Sequence, residues 1–178
     1  MKLTVANLEP DQAQHYSLSV SDLATGVGSL DVLFVDYANP IPSYHWRADP
    51  GGVTLPVDLA LSYRGIPLYV QIGLTDREIN ACVDRRSVPD SLGWPAFDVD
   101  AQTGDLVYDD NRMKVCFCRT EGGAMRVSLG GDWEAAVRRI GRPEFWFELD
   151  SADSLVGFLI ASLSDEQWAA IRASAVNR

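Results

Sequence analysis

The chain has 178 residues, of which 47% are hydrophobic and 10% aromatic, and its formal net charge is −10. This composition is typical of a folded protein, and we expect one domain over residues 1–178. No run of about 18 apolar residues occurs, so no transmembrane helix is expected. The negative charge is expected to repel nucleic acid and anionic membranes.

The first part of the chain favours β-structure. Its β-prone segments are LTVANL (3–8), HYSLSV (15–20), DVLFVDY (31–37), VTLPVDLALSY (53–63) and IPLYVQIGL (66–74). The last two flank Arg64-Gly65, which predicts a β-hairpin with a tight turn. Three prolines and two glycines in ANPIPSYHWRADPGG (38–52) predict a long loop.

The second part mixes strands with helices. Thr75 and Glu78 form a capping box that predicts a helix over TDREINACVDRR (75–86), and SVPDSLGWPAF (87–97) is expected to be a loop. An antiparallel meander is predicted for FDVD (97–100), GDLVYDD (104–110), RMKVCFCRT (112–120) and AMRVSLGG (124–131). After it we expect helices over WEAAVRRIG (133–141), ADSLVGFLIASL (152–163) and DEQWAAIRASAV (165–176), with EFWFEL (144–149) as a strand. Ser164 and Gln167 form a second capping box, which opens the last of these helices.

These elements predict an α+β fold, mainly antiparallel β-sheet built from hairpins and a meander, with helices toward the C-terminus. The N-terminus, MKLTVANLEPDQ, has no apolar core of a signal peptide, so we expect a cytoplasmic protein.

The stretch DVDAQTGDLVYDD (98–110) concentrates acidic residues. A calcium loop of the EF-hand type is not favoured, because glycine falls at position 7 instead of 6 and no helix is predicted on either side. A hairpin turn at Thr103-Gly104 fits better. We interpret the stretch as an acidic surface that contacts a partner. Its candidate contact residues are Asp98, Asp100, Asp105, Tyr108, Asp109 and Asp110.

The remaining candidates for catalysis, disulfide formation or metal binding lack a supporting motif. His45 could act as a general base for Ser43 or Cys82, but no catalytic motif surrounds it. Cys116 and Cys118 would lie on one face of a strand about 6.5 Å apart, too far to bridge readily, so we expect reduced thiols. A single C-x-C spacing does not favour a zinc site, and no phosphate-binding loop is present. We therefore expect no catalytic residue, no metal and no cofactor.

The whole-chain profile resembles the immunity proteins of bacterial polymorphic toxin and contact-dependent inhibition systems. One local stretch, AVRRIGRPEFWFEL (136–149), is similar to the end of some such families, with a helix that ends in Gly-Arg-Pro before a strand that carries Trp. The resemblance implies an inhibitor that binds a cognate toxin domain, a basic protein, and blocks its active site. It leaves the oligomeric state open.

Two alternatives remain from the residues themselves. One is a small enzyme that uses His45 or a cysteine. The other is a phage-type acidic inhibitor that mimics nucleic acid, which would require carboxylates in rows on one face.

Overall fold

The computed structural model of the protein describes residues 2–9, 16–23, 27–34, 42–49, 56–74, 78–82, 88–102, 106–161 and 163–175. These ranges contain strands β1 to β15 and one helix, α1. The strands are Val5–Glu9, Ser17–Leu23, Val27–Leu33, Tyr44–Asp49, Val57–Leu61, Pro67–Gly73, Ile79–Cys82, Asp90–Leu92, Trp94–Phe97, Val107–Arg112, Val115–Thr120, Met125–Leu129, Arg138–Arg142, Phe145–Leu149 and Leu155–Ile160. The helix is Asp165–Ala175.

The strands form two large sheets and one small ribbon. The six-stranded sheet has the order β10-β4-β5-β6-β3-β2, and the seven-stranded sheet has the order β7-β11-β12-β15-β14-β13-β8. Strands β1 and β9 pair with each other. Most neighbours are antiparallel, but β10 with β4, β11 with β7 and β13 with β8 are parallel pairs.

The inward-facing side chains of both large sheets belong to one hydrophobic core. Phe34, directly after β3, packs against Phe145 and Phe147 of β14, with ring centroids 4.9 and 5.8 Å apart. Helix α1 adds Trp168 and Ile171 to this core and contacts β2 and β3. The sheets and the helix are therefore held together mainly by burial of apolar surface.

Several predictions are confirmed. The fold is α+β in the coarse sense, a predominant β-structure with a C-terminal helix. Strands β5 and β6 form the predicted hairpin, and Gly65 has the positive φ, 73°, that its turn requires. Ser164 and Gln167 form the predicted capping box before α1, because each accepts a hydrogen bond from the other's backbone N–H.

Three predicted helices are wrong. Residues 79–82, 138–142 and 155–160 are strands, so α1 is the single helix of the residues that the structure describes. The apolar run at 155–160 is only six residues long, and such a short run does not distinguish a buried strand from a buried helix. In all three segments, pairing with sheet neighbours outweighs local capping signals.

The predicted long loop and meander also need correction. Tyr44–Asp49 inside the predicted loop is strand β4, and Asp90–Leu92 and Trp94–Phe97 are strands β8 and β9. Strand β9 pairs with β1, whereas β10 pairs in parallel with β4, so the two do not form a hairpin. The Thr103-Gly104 turn lies outside the described residues. The β11–β12 part of the meander is confirmed.

Candidate functional site

Strand β10 carries the exposed end of the acidic stretch. Among the described residues it is the last strand on one side of the six-stranded sheet. Its side chains alternate, so that Tyr108 and Asp110 point outward and Asp109 and Asn111 point toward the core side. The Tyr108 side of the strand is the more open one, because that residue is 51% exposed.

Tyr108 is fixed between two side chains of the neighbouring strand β4. It lies opposite His45 in the register, and the two rings stack with centroids 4.9 Å apart. The Arg47 guanidinium lies 4.6 Å from the centroid of the Tyr108 ring, in a cation–π contact. The ring is therefore exposed and held in place at once.

Asp110 fixes Arg47 in turn. The Arg47 Nε and Nη2 donate to the two Asp110 carboxylate oxygens at 2.5 and 2.9 Å, a bidentate ion pair. This bond to Asp110 raises the pKa of Arg47, and the charge of Asp58 raises it further. The Asp110 charge is thereby largely balanced within the protein.

His45 is buried and has an acidic partner. Its Nδ1 lies 3.1 and 3.0 Å from the two carboxylate oxygens of Asp58 on β5. An ionised carboxylate only accepts hydrogen bonds, so this contact requires the hydrogen on Nδ1 and orients the imidazole. Tyr69 on β6 approaches the ring edge-on at 6.1 Å.

A row of polar side chains extends from this cluster across the sheet. Cα neighbours in adjacent strands place Asp58 next to Arg47, Gln71 next to Asp58, and Asp31 next to Gln71. Gln71 donates to Asp31 at 2.9 Å. Ser21 and Ser29 also donate to Asp31, at 2.6 and 2.9 Å. We call Asp110, Arg47, Asp58, Gln71 and Asp31 the polar row.

On the core side of β10, acidic groups gather around Tyr44. Its hydroxyl donates to Asp109 at 2.9 Å. Burial raises the pKa of Tyr44, and the hydrogen bond with Asp109 and the charges of Asp109 and Asp100 raise it further. Asp100 therefore lies close enough to β10 to act on the same hydroxyl, which brings two of the sequence candidates together.

The six candidate residues thus have different surroundings. Asp98 and Asp100 are exposed in the segment after β9, and their carboxylates form no ion pair within the described ranges. Asp109 accepts from Tyr44, and Asp110 is paired with Arg47. Asp105 lies outside the described residues. Tyr108 is the exposed aromatic side chain in this group.

A shallow cavity of about 340 Å³ opens beside the Arg47–Asp110 pair. Asn111 and Arg112 of β10 line it, together with Pro56 before β5. The cavity extends the charged surface along β10 away from Tyr108.

The nucleophiles considered for His45 are not placed for attack. No hydrogen bond joins Ser43 to His45 among the described residues, and the partner of the imidazole Nδ1 is Asp58. Cys82 belongs to the seven-stranded sheet and forms a disulfide with Cys118, while Cys116 is free.

The prediction of reduced thiols is therefore wrong for Cys82 and Cys118, whereas the prediction that Cys116 and Cys118 do not bridge is confirmed. The bridge joins β7 to β11, whose pairing could not be foreseen.

Two further geometric findings concern the described residues. No three His, Cys, Asp or Glu side chains among them are grouped so as to hold a metal ion. The helix among them is neither long nor apolar enough to cross a membrane.

No sequence pattern predicts that Arg47, Asp58, Gln71 and Asp31 belong to one cluster. A signal was present, because Asp58, Gln71 and Asp31 are each the single polar residue flanked by apolar ones in VDLAL, VQI and LDV. An isolated polar residue in an apolar strand indicates an outward position with polar neighbours. The pattern within each strand does not show which strands are neighbours in the sheet.

Comparison with known proteins adds no relative. No protein-family model matches the chain, and no curated protein matches its sequence.

Proposed function

We propose that this protein binds a basic protein partner and neutralises it, as an immunity protein neutralises its toxin. The contact surface is the β10 edge with the segment 98–102. The observation that carries the proposal is Tyr108, which is 51% exposed yet held by His45 and Arg47. An aromatic side chain that is already ordered loses little conformational entropy on binding, which is typical of interface hot spots.

The charges around Tyr108 divide into two groups in this proposal. Asp110 serves to hold Arg47 and contributes little net charge. Asp98 and Asp100 remain exposed, and Asp109 accepts a hydrogen bond from the Tyr44 hydroxyl. These three carboxylates would attract a basic partner and raise its association rate.

The edge position of β10 supports the same proposal. A terminal strand offers backbone groups that can pair with an extended segment of another protein. Exposed Leu106 lies directly before the strand and Tyr108 is its second residue, so apolar contacts would accompany such pairing.

The polar row favours a protein partner over nucleic-acid mimicry. Arg47 lies between Asp110 and Asp58, and Gln71 lies between Asp58 and Asp31. A mimic requires a row of uncompensated carboxylates, whereas here a cation and an amide alternate with them.

The cytoplasmic location is a separate proposal, and the Cys82–Cys118 disulfide weighs against it. The cytosol keeps most thiols reduced, so a structural disulfide is more typical of an oxidising compartment. An immunity protein that meets its toxin in an oxidising compartment would satisfy both observations.

The experiment begins with coexpression of the chain and the product of the neighbouring open reading frame. We expect a stable complex in size-exclusion chromatography and relief of that product's toxicity. Tyr108→Ala is then expected to weaken the complex about 30-fold or more, as loss of a hot spot does. Tyr63→Ala is the matched control, because Tyr63 is 48% exposed but lies in the β5–β6 turn.

The acidic residues are tested by association rate. Asp98→Asn with Asp100→Asn is expected to slow association several-fold at low salt and to leave dissociation nearly unchanged. The charge-matched control is Asp90→Asn with Glu121→Gln, two exposed acids outside this surface. If neither Tyr108→Ala nor the double variant of Asp98 and Asp100 changes binding, another surface makes the contact. Failure to form any complex would remove the neutralisation proposal.

A further inference from the structure

A second cavity lies away from β10, between the edge of the seven-stranded sheet and the C-terminal helix. Its volume is about 450 Å³, within the range of small-molecule sites. Ile79 and Ala81 of β7 and Trp168 and Ala175 of α1 supply most of its apolar lining. Among the described residues, the polar side chains that line it are Asn80, Arg119 and Arg172. An apolar cavity with a few polar groups is the usual composition of a ligand site.

Within the part of the chain that the structure describes, no carboxylate lies closer than 4.0 Å to either of its two arginines. Arg119 stacks over the Trp168 ring at 4.9 Å, and its nearest carboxylate, Asp165, is 4.0 Å away on a fully exposed side chain. Such an exposed contact at the distance limit neutralises little charge. Arg172 has no acidic residue three or four positions away along the helix and forms no ion pair within the described residues. Two cations therefore line one cavity in a protein whose net charge is −10.

The walls of this cavity are held in place before any ligand arrives. The Trp168 indole N–H donates to the Gly123 carbonyl at 2.7 Å. Ala81 pairs with Arg119 between β7 and β11, and the Cys82–Cys118 disulfide joins the same two strands. A site whose walls are already ordered binds with a smaller entropic cost.

We infer that this cavity binds a small organic carboxylate, with its anionic group on Arg119 and Arg172 and its apolar body against Trp168 and Ile79. The guanidinium fork matches the two oxygens of a carboxylate. The apolar lining favours a ligand with a hydrocarbon or ring body over a bare inorganic anion. The described residues that line this cavity are distinct from those of the β10 surface, so this inference is independent of the proposed function.

The test is a titration of the purified full chain with 3-phenylpropionate, followed by the NMR signal of the Trp168 indole N–H. We expect a saturable shift, with binding weakened about tenfold by Arg119→Gln and by Arg172→Gln. Arg112→Gln is the control, because it removes the same charge from β10. Arg172 is exposed on the helix, so its substitution keeps the test valid even if Arg119→Gln fails to fold.

Two other ligands test whether the cavity requires both the carboxylate and the apolar body of the ligand. The neutral analogue 3-phenylpropanol is expected to bind at least tenfold more weakly, because it cannot pair with the arginines. Inorganic phosphate is expected to compete poorly. The inference is wrong if 3-phenylpropionate causes no shift, if both arginine variants bind it normally, or if phosphate binds equally well with the same dependence on the arginines.

Discussion

The two large sheets each carry an arginine–carboxylate cluster on the side away from the core, but only one cluster is open. In the seven-stranded sheet, Glu148 accepts from Arg126 at 2.7 Å and from Arg139 at 3.0 Å, and its side chain is 2% exposed. In the six-stranded sheet, the Arg47 and Asp110 side chains are 31% and 61% exposed. The same pairing chemistry is thus placed in two different dielectric environments.

The covering segment makes the difference. Residues 130–137 follow β12, and the Trp133 carbonyl accepts from the Arg126 Nη2 at 2.8 Å while its ring lies 5.6 Å from that guanidinium. Arg126 and Arg139 engage the two oxygens of Glu148, and Trp133 contacts Arg126 from the following segment. The Glu148 cluster is closed to solvent, whereas the Arg47–Asp110 pair is exposed.

The largest expected effect breaks the buried cluster. Glu148→Gln removes the buried carboxylate that Arg126 and Arg139 share, so both guanidiniums lose this shared counter-charge. We expect a loss of about 3 to 5 kcal/mol in the free energy of unfolding. Urea denaturation measures it.

Asp110→Asn is the matched change in the open cluster. It removes a carboxylate from an exposed bidentate pair, and we expect a loss below about 1 kcal/mol. Equal losses in the two variants would show that burial does not separate the clusters.

The next effect concerns the sheet edges. Strand β7 is tied to β11 by the Cys82–Cys118 disulfide, which spans 36 residues of chain, whereas no disulfide joins β10 to a neighbour within the described ranges. In the chain-entropy model, a loop of that length contributes about 3 to 4 kcal/mol. The double variant Cys82→Ala with Cys118→Ala is expected to lose stability of this order in urea.

Cys116→Ala is the control for that experiment, because Cys116 is the free thiol on the same strand as Cys118. A reducing agent should also lower the free energy of unfolding of the native chain, and it should leave that of the double variant unchanged. If thiols in the native chain alkylate completely without reduction, the disulfide does not form in solution.

The contrast between the sheets also explains what could be predicted from the sequence. The β5–β6 hairpin and the capping box of α1 are set by residues close in the chain, and both were predicted. The pairing of β10 with β4 joins residues about 60 positions apart, and periodicity carries no information on such a partner.

The candidate site shows the same division. Tyr108 and the Asp residues were identified by composition, but His45, Arg47 and Asp58 join them only through the strand order. The helix predicted at 133–141 fails for a related reason. Arg139 in this segment donates a hydrogen bond to Glu148, which is its neighbour in the β13–β14 pair. Such long-range pairing outweighs local helical propensity.

A smaller effect sharpens the description of the closed cluster. A Cβ at Gly157 would lie 2.4 Å from the Val127 carbonyl oxygen and 3.1 Å from Glu148 Oε2. Gly157→Ala should therefore push β15 away from the Val127 carbonyl of β12, shift the Glu148 carboxylate slightly, and cost about 1 to 3 kcal/mol. Gly122→Ala is the control, because its nearest atom would be 3.9 Å away. If Gly157→Ala left the free energy of unfolding unchanged, the residues around Glu148 would repack easily.

The smallest effect is a pH dependence at the junction of the two sheets. The Tyr16 hydroxyl, before β2, donates to the carbonyl of Glu144, before β14, at 3.5 Å. Burial and the Glu144 charge raise the pKa of Tyr16 to about 12 from 10.0. A pKa raised in the folded state gives a contribution that is complete below pH 10 and is lost as pH rises toward 12. Tyr16→Phe should therefore lose less stability than the native chain between pH 10 and 12, measured by urea denaturation at each pH. Because both chains share every other titrating group, identical pH profiles would show that this phenol ionises normally and that the junction near β2 is open to water.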